Sequence, residues 1–249
     1  LRLNKFKMTD ISFAEKLKID ITVLITSIHQ REIAIQTANY YSKICSEVIF
    51  VDEQQPYLTP TEVSVLKENN INYITYKNDS NNYVYQKRLI GASRSNKKFI
   101  VHSNHDERYT YHGLLGCVEE LEKDQKLSFC IGQAIAMRKD NSEVHYTRSY
   151  KKLHDYQNIK KVEERLYYHA KNYAPLAHYA VWKRENYIKA TEKTIFIHKE
   201  ISTNTILDEI VFELAADLTG NSKAIPILFW IRNRVNPPFN QGLETKNYV

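Results

Sequence analysis

Glycine is scarce in this sequence, with 6 residues in 249. None of them forms a G-x-G-x-x-G or G-x-x-x-x-G-K-[ST] pattern, the two signatures of a backbone loop that cradles phosphates. A glycine-rich phosphate loop is therefore excluded as the main binding device. A diphosphate bound by this chain would have to be held by a metal ion and by basic side chains.

Cysteine is also rare, and long apolar runs are missing. The three cysteines are widely spaced and form no C-x-x-C pair, which argues against a zinc site and indicates buried free thiols in a reducing cytoplasm: Cys45, Cys117 and Cys130. The longest apolar stretches, at 21–28 and 225–231, have the length of strands rather than of membrane spans. We expect a cytoplasmic protein, and association with the inner face of a membrane stays open.

The excess of positive charge is small, with a formal net charge of +6. Spread along the chain, such an excess is compatible with nucleic acid, anionic lipid or an acidic substrate. The 18 tyrosines could stack on bases, but they are scattered rather than grouped on one pair of strands. We therefore expect no nucleic-acid partner.

Patterns typical of strands and helices alternate along the chain. β-Branched and apolar runs predict strands at 21–28, 48–51, 71–76, 98–103, 127–131, 179–182 and 223–231. Helical spacing of apolar residues predicts helices at 31–45, 61–69, 83–95, 111–123 and 207–220. This order predicts an α/β fold with a Rossmann-like, mainly parallel sheet flanked by helices.

The chain is expected to contain one large domain, at 20–249. The charged residues 1–19 have the character of a leader or of a trimmed preceding segment. The stretch 139–174 is polar and tyrosine-rich, with helical spacing near its end, which indicates an insertion or a lid.

Two adjacent carboxylates follow the predicted strand at 98–103, in the sequence His105-Asp106-Glu107. Ligands of open α/β sheets bind at the edge where the strands end. Neighbouring carboxylates repel each other unless a cation or a hydrogen-bonded ligand lies between them. The alternative is an ordinary solvent-exposed loop after a strand.

The order and spacing of these elements give the chain a resemblance to a family. Over about residues 20–234 it resembles the GT-A type, family-two-like glycosyltransferases of bacterial polysaccharide biosynthesis, in the branch with an acidic triplet. The resemblance rests on the strand and T-x-x-R exit at 22–31, Asp52 after the second strand, the basic helix around 86–92, the strand and triplet at 99–107, and Asp208-Glu209 heading the late helix. His105 replaces the first acid of the triplet.

This resemblance implies transfer of a sugar from a nucleotide-diphosphate donor to an acceptor hydroxyl. It places Thr26, Ile28 and Arg31 in the nucleotide pocket and gives Asp52 a hydrogen bond to the base or ribose. It assigns the remaining contacts to the nucleotide-sugar donor to Lys87, Arg88 and Asp106. It assigns a divalent cation, Mn²⁺ or Mg²⁺, to Glu107, with His105 as a further ligand. Alternatively, Asp52 only forms a turn and His105 only bonds locally.

The resemblance also implies a catalytic base on the late helix, with Glu209 first and Asp208 second. An inverting reaction on a glycan or lipid-linked acceptor, in surface polysaccharide or glycoconjugate synthesis, is the corresponding expectation. Acids at a helix start also stabilise the helix dipole without any catalytic role. Glu213 and Asp217 continue the stripe at four-residue spacing, so a purely solvent-exposed acidic face is the rival interpretation.

Two other classes of function stay open at this point. A nucleotidyltransferase would share the sheet and the metal chemistry, but would carry glycine after the first strand, and none stands at 26–31. A degenerate binding module for nucleotides or nucleic acid would explain the altered triplet.

Overall fold

The computed structural model describes residues 18–27, 30–77, 84–105, 107–140, 143–149, 159–201 and 205–233. Two residues considered above, Ile28 and Asp106, lie outside these ranges, as do residues 1–17 of the expected leader.

Nine strands of the described residues form one sheet. They are β1 (Ile19–Ser27), β2 (Cys45–Asp52), β3 (Ile71–Thr75), β4 (Phe99–Asn104), β5 (Glu107–Tyr109), β6 (Leu127–Asp140), β7 (Glu143–Ser149), β8 (Val181–Lys183) and β9 (Asn221–Asn233). Their order is β3-β2-β1-β4-β8-β6-β9-β5, with β7 paired to β6. β1–β4 are mutually parallel and β6 is parallel to β9, whereas β5, β7 and β8 pair antiparallel.

Seven helices of the described residues flank the sheet. They are α1 (Arg31–Ser42), α2 (Pro60–Glu68), α3 (Val84–Arg94), α4 (Tyr111–Lys123), α5 (Val162–Lys171), α6 (Arg184–Ile201) and α7 (Thr205–Asp217), with a single 3-10 turn at Ala177–Tyr179. The predicted fold class, a GT-A (Rossmann-like) mixed, mainly parallel sheet flanked by helices, is confirmed. None of the described helices has the length and apolar character needed to cross a membrane.

The core lies on both faces of β1, β2 and β4. Their apolar residues are almost wholly buried, as expected for parallel strands that are covered by helices on each side. α3 approaches β1 so closely that a Cβ at Gly91 would stand 2.2 Å from a methyl carbon of Leu24. All three cysteines are buried free thiols, as predicted.

Parallel register brings the ends of three strands together. Ser27 of β1 is paired with Asp52 of β2, and Thr26 is paired with Asn104 of β4. The carboxyl ends of β1, β2 and β4 therefore lie at the same edge of the sheet. This edge is where ligands bind in folds of this kind.

The predicted elements occur, but the sequence patterns missed three others. The most extensive is α6, whose buried residues include Thr191 and Thr194. Their hydroxyls donate to the carbonyls of Tyr187 and Ala190, four residues earlier, at 2.7 and 2.8 Å. Because a satisfied threonine packs like an apolar residue, polarity alone hid the helical stripe.

The other two missed elements are short strands, β5 and β7. β7 lies within the stretch 139–174, where only helical spacing was predicted, and it pairs antiparallel with β6. α5 occupies the helical part of that stretch. The division into one domain with a lid stays a prediction.

Candidate functional site

The carboxylate of Asp52 is fully buried at the end of β2 and is surrounded by donors. Its Oδ2 accepts from Nε of Arg31 at 2.6 Å and from the hydroxyl of Tyr73 at 2.8 Å. Its Oδ1 accepts from the backbone N–H of Gln54 at 3.1 Å. The structure thus brings together Arg31 and Asp52, two residues that were placed in the nucleotide pocket from sequence.

The N-terminal half of α3 carries two buried cations to the same edge. Lys87 is 2% exposed, and its ammonium lies 2.6 Å from the carboxylate of Glu53, the residue after Asp52. Burial lowers the pKa of Lys87, and Glu53 and Asp52 partly oppose that shift. Lys87, Arg88 and Asp52 are therefore within electrostatic reach of one another.

Arg88 is buried without a carboxylate partner among the described residues. Its two terminal nitrogens lie 3.3 and 2.8 Å from Nδ1 and Nε2 of His178, and its guanidinium stands 4.5 Å from the centre of the Tyr85 ring. Its Nε has no hydrogen-bond partner. A buried, incompletely paired guanidinium is costly unless a ligand anion completes it.

His102 of β4 connects this cation to the end of β1. Its Nε2 lies 3.0 Å from the hydroxyl of Thr26, while its Nδ1 is buried without a partner. Burial, reinforced by Arg88, holds the pKa of both His102 and His178 well below the usual range, so both rings are neutral at physiological pH. The polar side chains at this edge of the sheet are Thr26, Arg31, Asp52, Lys87, Arg88, His102 and His178.

Glu213 of α7 is fully buried, and its carboxylate accepts from the backbone N–H groups of Ala177 and His178 at 2.9 and 2.8 Å. His169 of α5 lies 3.4 Å from Glu213 and 3.0 Å from Asp217. The interpretation of Glu213 and Asp217 as a solvent-exposed acidic face is therefore wrong, because α5 and the turn at 177–179 cover this side of α7.

The two candidate bases on α7 have different surroundings. Glu209 is partly exposed and accepts at 2.8 Å from the hydroxyl of Tyr173. Asp208 is buried, and its carboxylate lies 3.0 Å from Nδ1 of His198 on α6. Glu209 and Arg88 both act electrostatically on the Tyr85 hydroxyl, which places Glu209 near the cation of α3. This arrangement favours Glu209 as the acid available to a substrate.

Glu107 starts β5 and is almost completely buried. Its carboxylate lies 3.4 Å from the side-chain nitrogen of Asn104 and 3.8 Å from Nε of Arg232. His105 stands in the turn before it and offers its backbone carbonyl to Arg108 at 3.3 Å. Within the described ranges, no group of three His, Cys, Asp or Glu side chains is suited to hold a metal ion.

One carboxylate can still belong to a cation site, because Mg²⁺ is commonly held by one or two carboxylates together with substrate phosphates. Glu107 meets that minimum. The contribution of Asp106 lies outside the described residues, so the predicted cation stays a prediction.

Two tryptophans lie in the core, and one arginine stands close to one of them. Trp182 and Trp230 are fully buried in the core, and Arg232 stands 5.7 Å from the Trp230 ring. A wide depression of about 1130 Å³ lies at the opposite edge of the sheet, near Lys18, Lys43 and Asn69. It contains none of the predicted site residues.

Sequence reasoning missed His102, Tyr173 and His178. Each is an isolated aromatic residue with no motif around it, and its partners lie 36 to 90 residues away in the chain. The histidine at the centre of the strand 99–104 was the available signal, because an imidazole inside an apolar strand needs a buried polar partner.

No protein-family model matches the sequence, and no curated protein sequence matches it. Solved structures do share the fold. The crystal structure of S. aureus TarS 1–349 superposes with a TM-score of 0.58 at 9% identity, covering 86% of this chain and 60% of that one. Its complex with UDP-GlcNAc gives 0.59 at 10% identity, covering 93% and 62%. Its complex with UDP gives 0.57 at 10% identity, covering 86% and 60%.

At this level of identity the likeness is evidence for the fold alone. This chain spans about three fifths of the length of the TarS 1–349 chain.

Proposed function

We propose that this chain is a glycosyltransferase that moves a sugar from a nucleoside-diphosphate donor to an acceptor hydroxyl. The observation that carries the proposal is the grouping of a buried carboxylate, Asp52, with an incompletely paired buried cation, Arg88, at the carboxyl edge of the sheet. The fold is shared with a protein crystallised with UDP and UDP-GlcNAc, which supports a nucleotide-sugar donor.

The donor would lie across the ends of β1, β2 and β4. Asp52 accepts a hydrogen bond from the base or ribose, with Arg31 and Tyr73 orienting its carboxylate. Arg88 and Lys87 face the diphosphate, whose negative charge grows as the glycosidic bond breaks. Thr26, held by His102, contributes a hydroxyl at the end of β1.

Glu209 is our choice for the general base. As the acceptor oxygen attacks the anomeric carbon, its proton passes to the Glu209 carboxylate. The bond from the anomeric carbon to the diphosphate breaks, and its electron pair leaves with the diphosphate oxygen. A single displacement of this kind inverts the anomeric configuration.

A divalent cation is a further part of the proposal. Glu107, beside His105, would supply its carboxylate ligand, and the ion would neutralise the leaving diphosphate. Manganese should then raise the affinity for UDP, and Glu107→Ala should abolish that increment while the protein stays folded. Equal affinity with and without manganese in the wild type would point to a site that works without metal.

The chemical step is tested by incubating the protein with UDP-GlcNAc, UDP-glucose and UDP-galactose and measuring UDP release. A candidate glycan or lipid-linked acceptor from surface polysaccharide synthesis is then added to each donor. We expect one donor to release UDP, slowly with water and faster with the right acceptor. Absence of UDP release with every such donor and acceptor would argue for the non-catalytic binding module.

A further inference from the structure

The 3-10 turn at Ala177–Tyr179 contacts two helices that carry residues of the proposed reaction: α3 through Arg88 and α7 through Glu213. We propose that His178 is a positioning residue that holds the Arg88 guanidinium for the leaving diphosphate, and that Glu213 fixes His178 in turn. The inference rests on the proposed donor site. It adds a chain of contacts in which Glu213 of α7 holds His178 and His178 holds Arg88 of α3.

Arg88 needs a positioning partner because no acid among the described residues performs that task. The Tyr85 ring supports the guanidinium at 4.5 Å, and the edge of the His178 ring meets both terminal nitrogens. A neutral imidazole has only one acceptor nitrogen. We assign it to Nε2, which makes the shorter contact of 2.8 Å, and Nδ1–H then points to the Tyr85 hydroxyl at 3.4 Å.

This pairing orients the guanidinium without cancelling its charge. A carboxylate partner would satisfy Arg88 and weaken its attraction for a ligand, whereas one neutral acceptor leaves the positive charge to an anion. Nε of Arg88 is still unpartnered and buried. The Arg88 guanidinium is therefore oriented by its neighbours and keeps a positive charge and, within the described residues, a free N–H group for a phosphate.

Glu213 determines where His178 stands. Its two carboxylate oxygens accept from two consecutive backbone N–H groups, those of Ala177 and His178. Glu213 is one helical turn beyond Glu209 on α7. A single helix thus carries the proposed base and anchors the turn that orients the proposed diphosphate cation.

The test compares UDP with uridine, because only UDP carries the diphosphate. His178→Phe keeps an aromatic ring and removes both nitrogens. By calorimetry, we expect its UDP affinity to fall about 10- to 100-fold, the range for one charge-assisted hydrogen bond, with uridine affinity unchanged. His112→Phe is the matched control, since His112 is exposed on α4 outside the site, and should affect neither ligand.

Two further variants make the test independent of a single substitution. Measured above the Glu213 pKa of about 8, Glu213→Gln should weaken UDP selectively, because its amide group must turn one N–H₂ toward a backbone donor. In an Arg88→Met background, His178→Phe should change UDP affinity by less than about twofold, because the two residues act as one unit. This coupling separates positioning through Arg88 from direct contact with the ligand.

Several results would overturn the inference. Equal losses for UDP and uridine would indicate a structural role for His178, and additive losses in the Arg88→Met background would exclude positioning through Arg88. If the wild type bound neither UDP nor any other nucleoside diphosphate, the donor site itself would be wrong. Normal UDP binding in the His178→Phe and Glu213→Gln variants would refute only the positioning role.

Discussion

Asp52 is the residue on which the proposed donor site most depends. It is fully buried, and Arg31, Tyr73 and the Gln54 backbone all donate to it. Asp52→Ala removes the acceptor and leaves these donors unpaired, which should weaken UDP binding by about 1–3 kcal/mol. Calorimetry measures the change, with the exposed Asp20→Ala at the start of β1 as control. Unchanged affinity would remove Asp52 from the site.

Glu209 is the residue that we expect to act in the transition state rather than in donor binding. Glu209→Gln keeps the shape and one oxygen, so donor affinity should be retained while turnover falls by roughly 10²–10⁴-fold. The measurement pairs UDP-release rates with donor affinity from calorimetry. Glu192→Gln, at an exposed position of α6, is the control.

Asp208, the second candidate base, gives a different expectation. Its buried carboxylate is paired with His198, so Asp208→Asn should lower the melting temperature and leave turnover close to that of the wild type. If Glu209→Gln and Asp208→Asn both retain full turnover, α7 does not supply the base. The acid would then have to be sought in the stretch 139–174.

At the scale of elements, the packing of α4 on β9 depends on one glycine. A Cβ at Gly113 would stand 2.5 Å from the backbone Cα of Phe229, and backbone cannot move aside as a side chain can. Gly113→Ala should therefore destabilise the protein by about 1–3 kcal/mol.

Gly116 on the same helix is the matched control. A Cβ there would meet only the methyl ends of two isoleucine side chains, the exposed Ile227 at 2.9 Å and the buried Ile225 at 3.1 Å, and a methyl end can shift where backbone cannot. Gly116→Ala should be neutral or stabilising by up to about 1 kcal/mol, the usual helix advantage of alanine. Urea denaturation measures both changes, and equal effects would contradict this packing.

The contact between α5 and α7 predicts a pH dependence of stability. Burial raises the pKa of Glu213 to about 8. Burial also opposes the charged form of His169, but the neighbouring Asp217 and Glu213 outweigh it and raise the pKa of His169. Both groups bind protons more tightly in the folded state, so stability is greatest at low pH in this window and falls as the pH rises.

The melting temperature of the wild type should accordingly fall between about pH 4.5, the ordinary pKa of a glutamate, and about pH 8, the pKa of buried Glu213. Glu213→Gln removes the titrating carboxyl and should flatten this slope, which thermal denaturation in a pH series would measure. Parallel slopes for the two proteins would show that Glu213 does not titrate in this range.

At the scale of the whole molecule, local patterns were sufficient to predict seven of the nine strands in the described sheet. β1 and β2 are buried on both faces, which makes their apolar runs continuous and easy to recognise. α4 was predicted at its observed bounds because Thr110 caps it and apolar residues follow at regular spacing. Gly220, predicted to follow the late helix, adopts a φ of +152°.

The contacts within the site could not be predicted from local sequence patterns, because they join residues that are far apart in the chain. The family resemblance placed Asp52 and Arg31 in one pocket, but their direct contact was not predicted. His178 meets Arg88 across 90 residues of chain, and Tyr173 meets Glu209 across 36. No local period encodes such contacts. The four-residue spacing of Glu213 and Asp217 suggested an exposed acidic face, because no neighbouring residue in the sequence indicates that α5 packs over them.

The central claim is that this sheet edge binds a nucleoside diphosphate, and calorimetric titration of the wild-type protein with UDP tests it most directly. The titration is run with and without manganese, with Asp52→Ala in parallel and with GDP, CDP, ADP and dTDP as alternatives. We expect one site per chain, tighter binding with manganese, and weaker binding by the Asp52→Ala variant. Absence of binding by every nucleoside diphosphate, in both conditions, would contradict it.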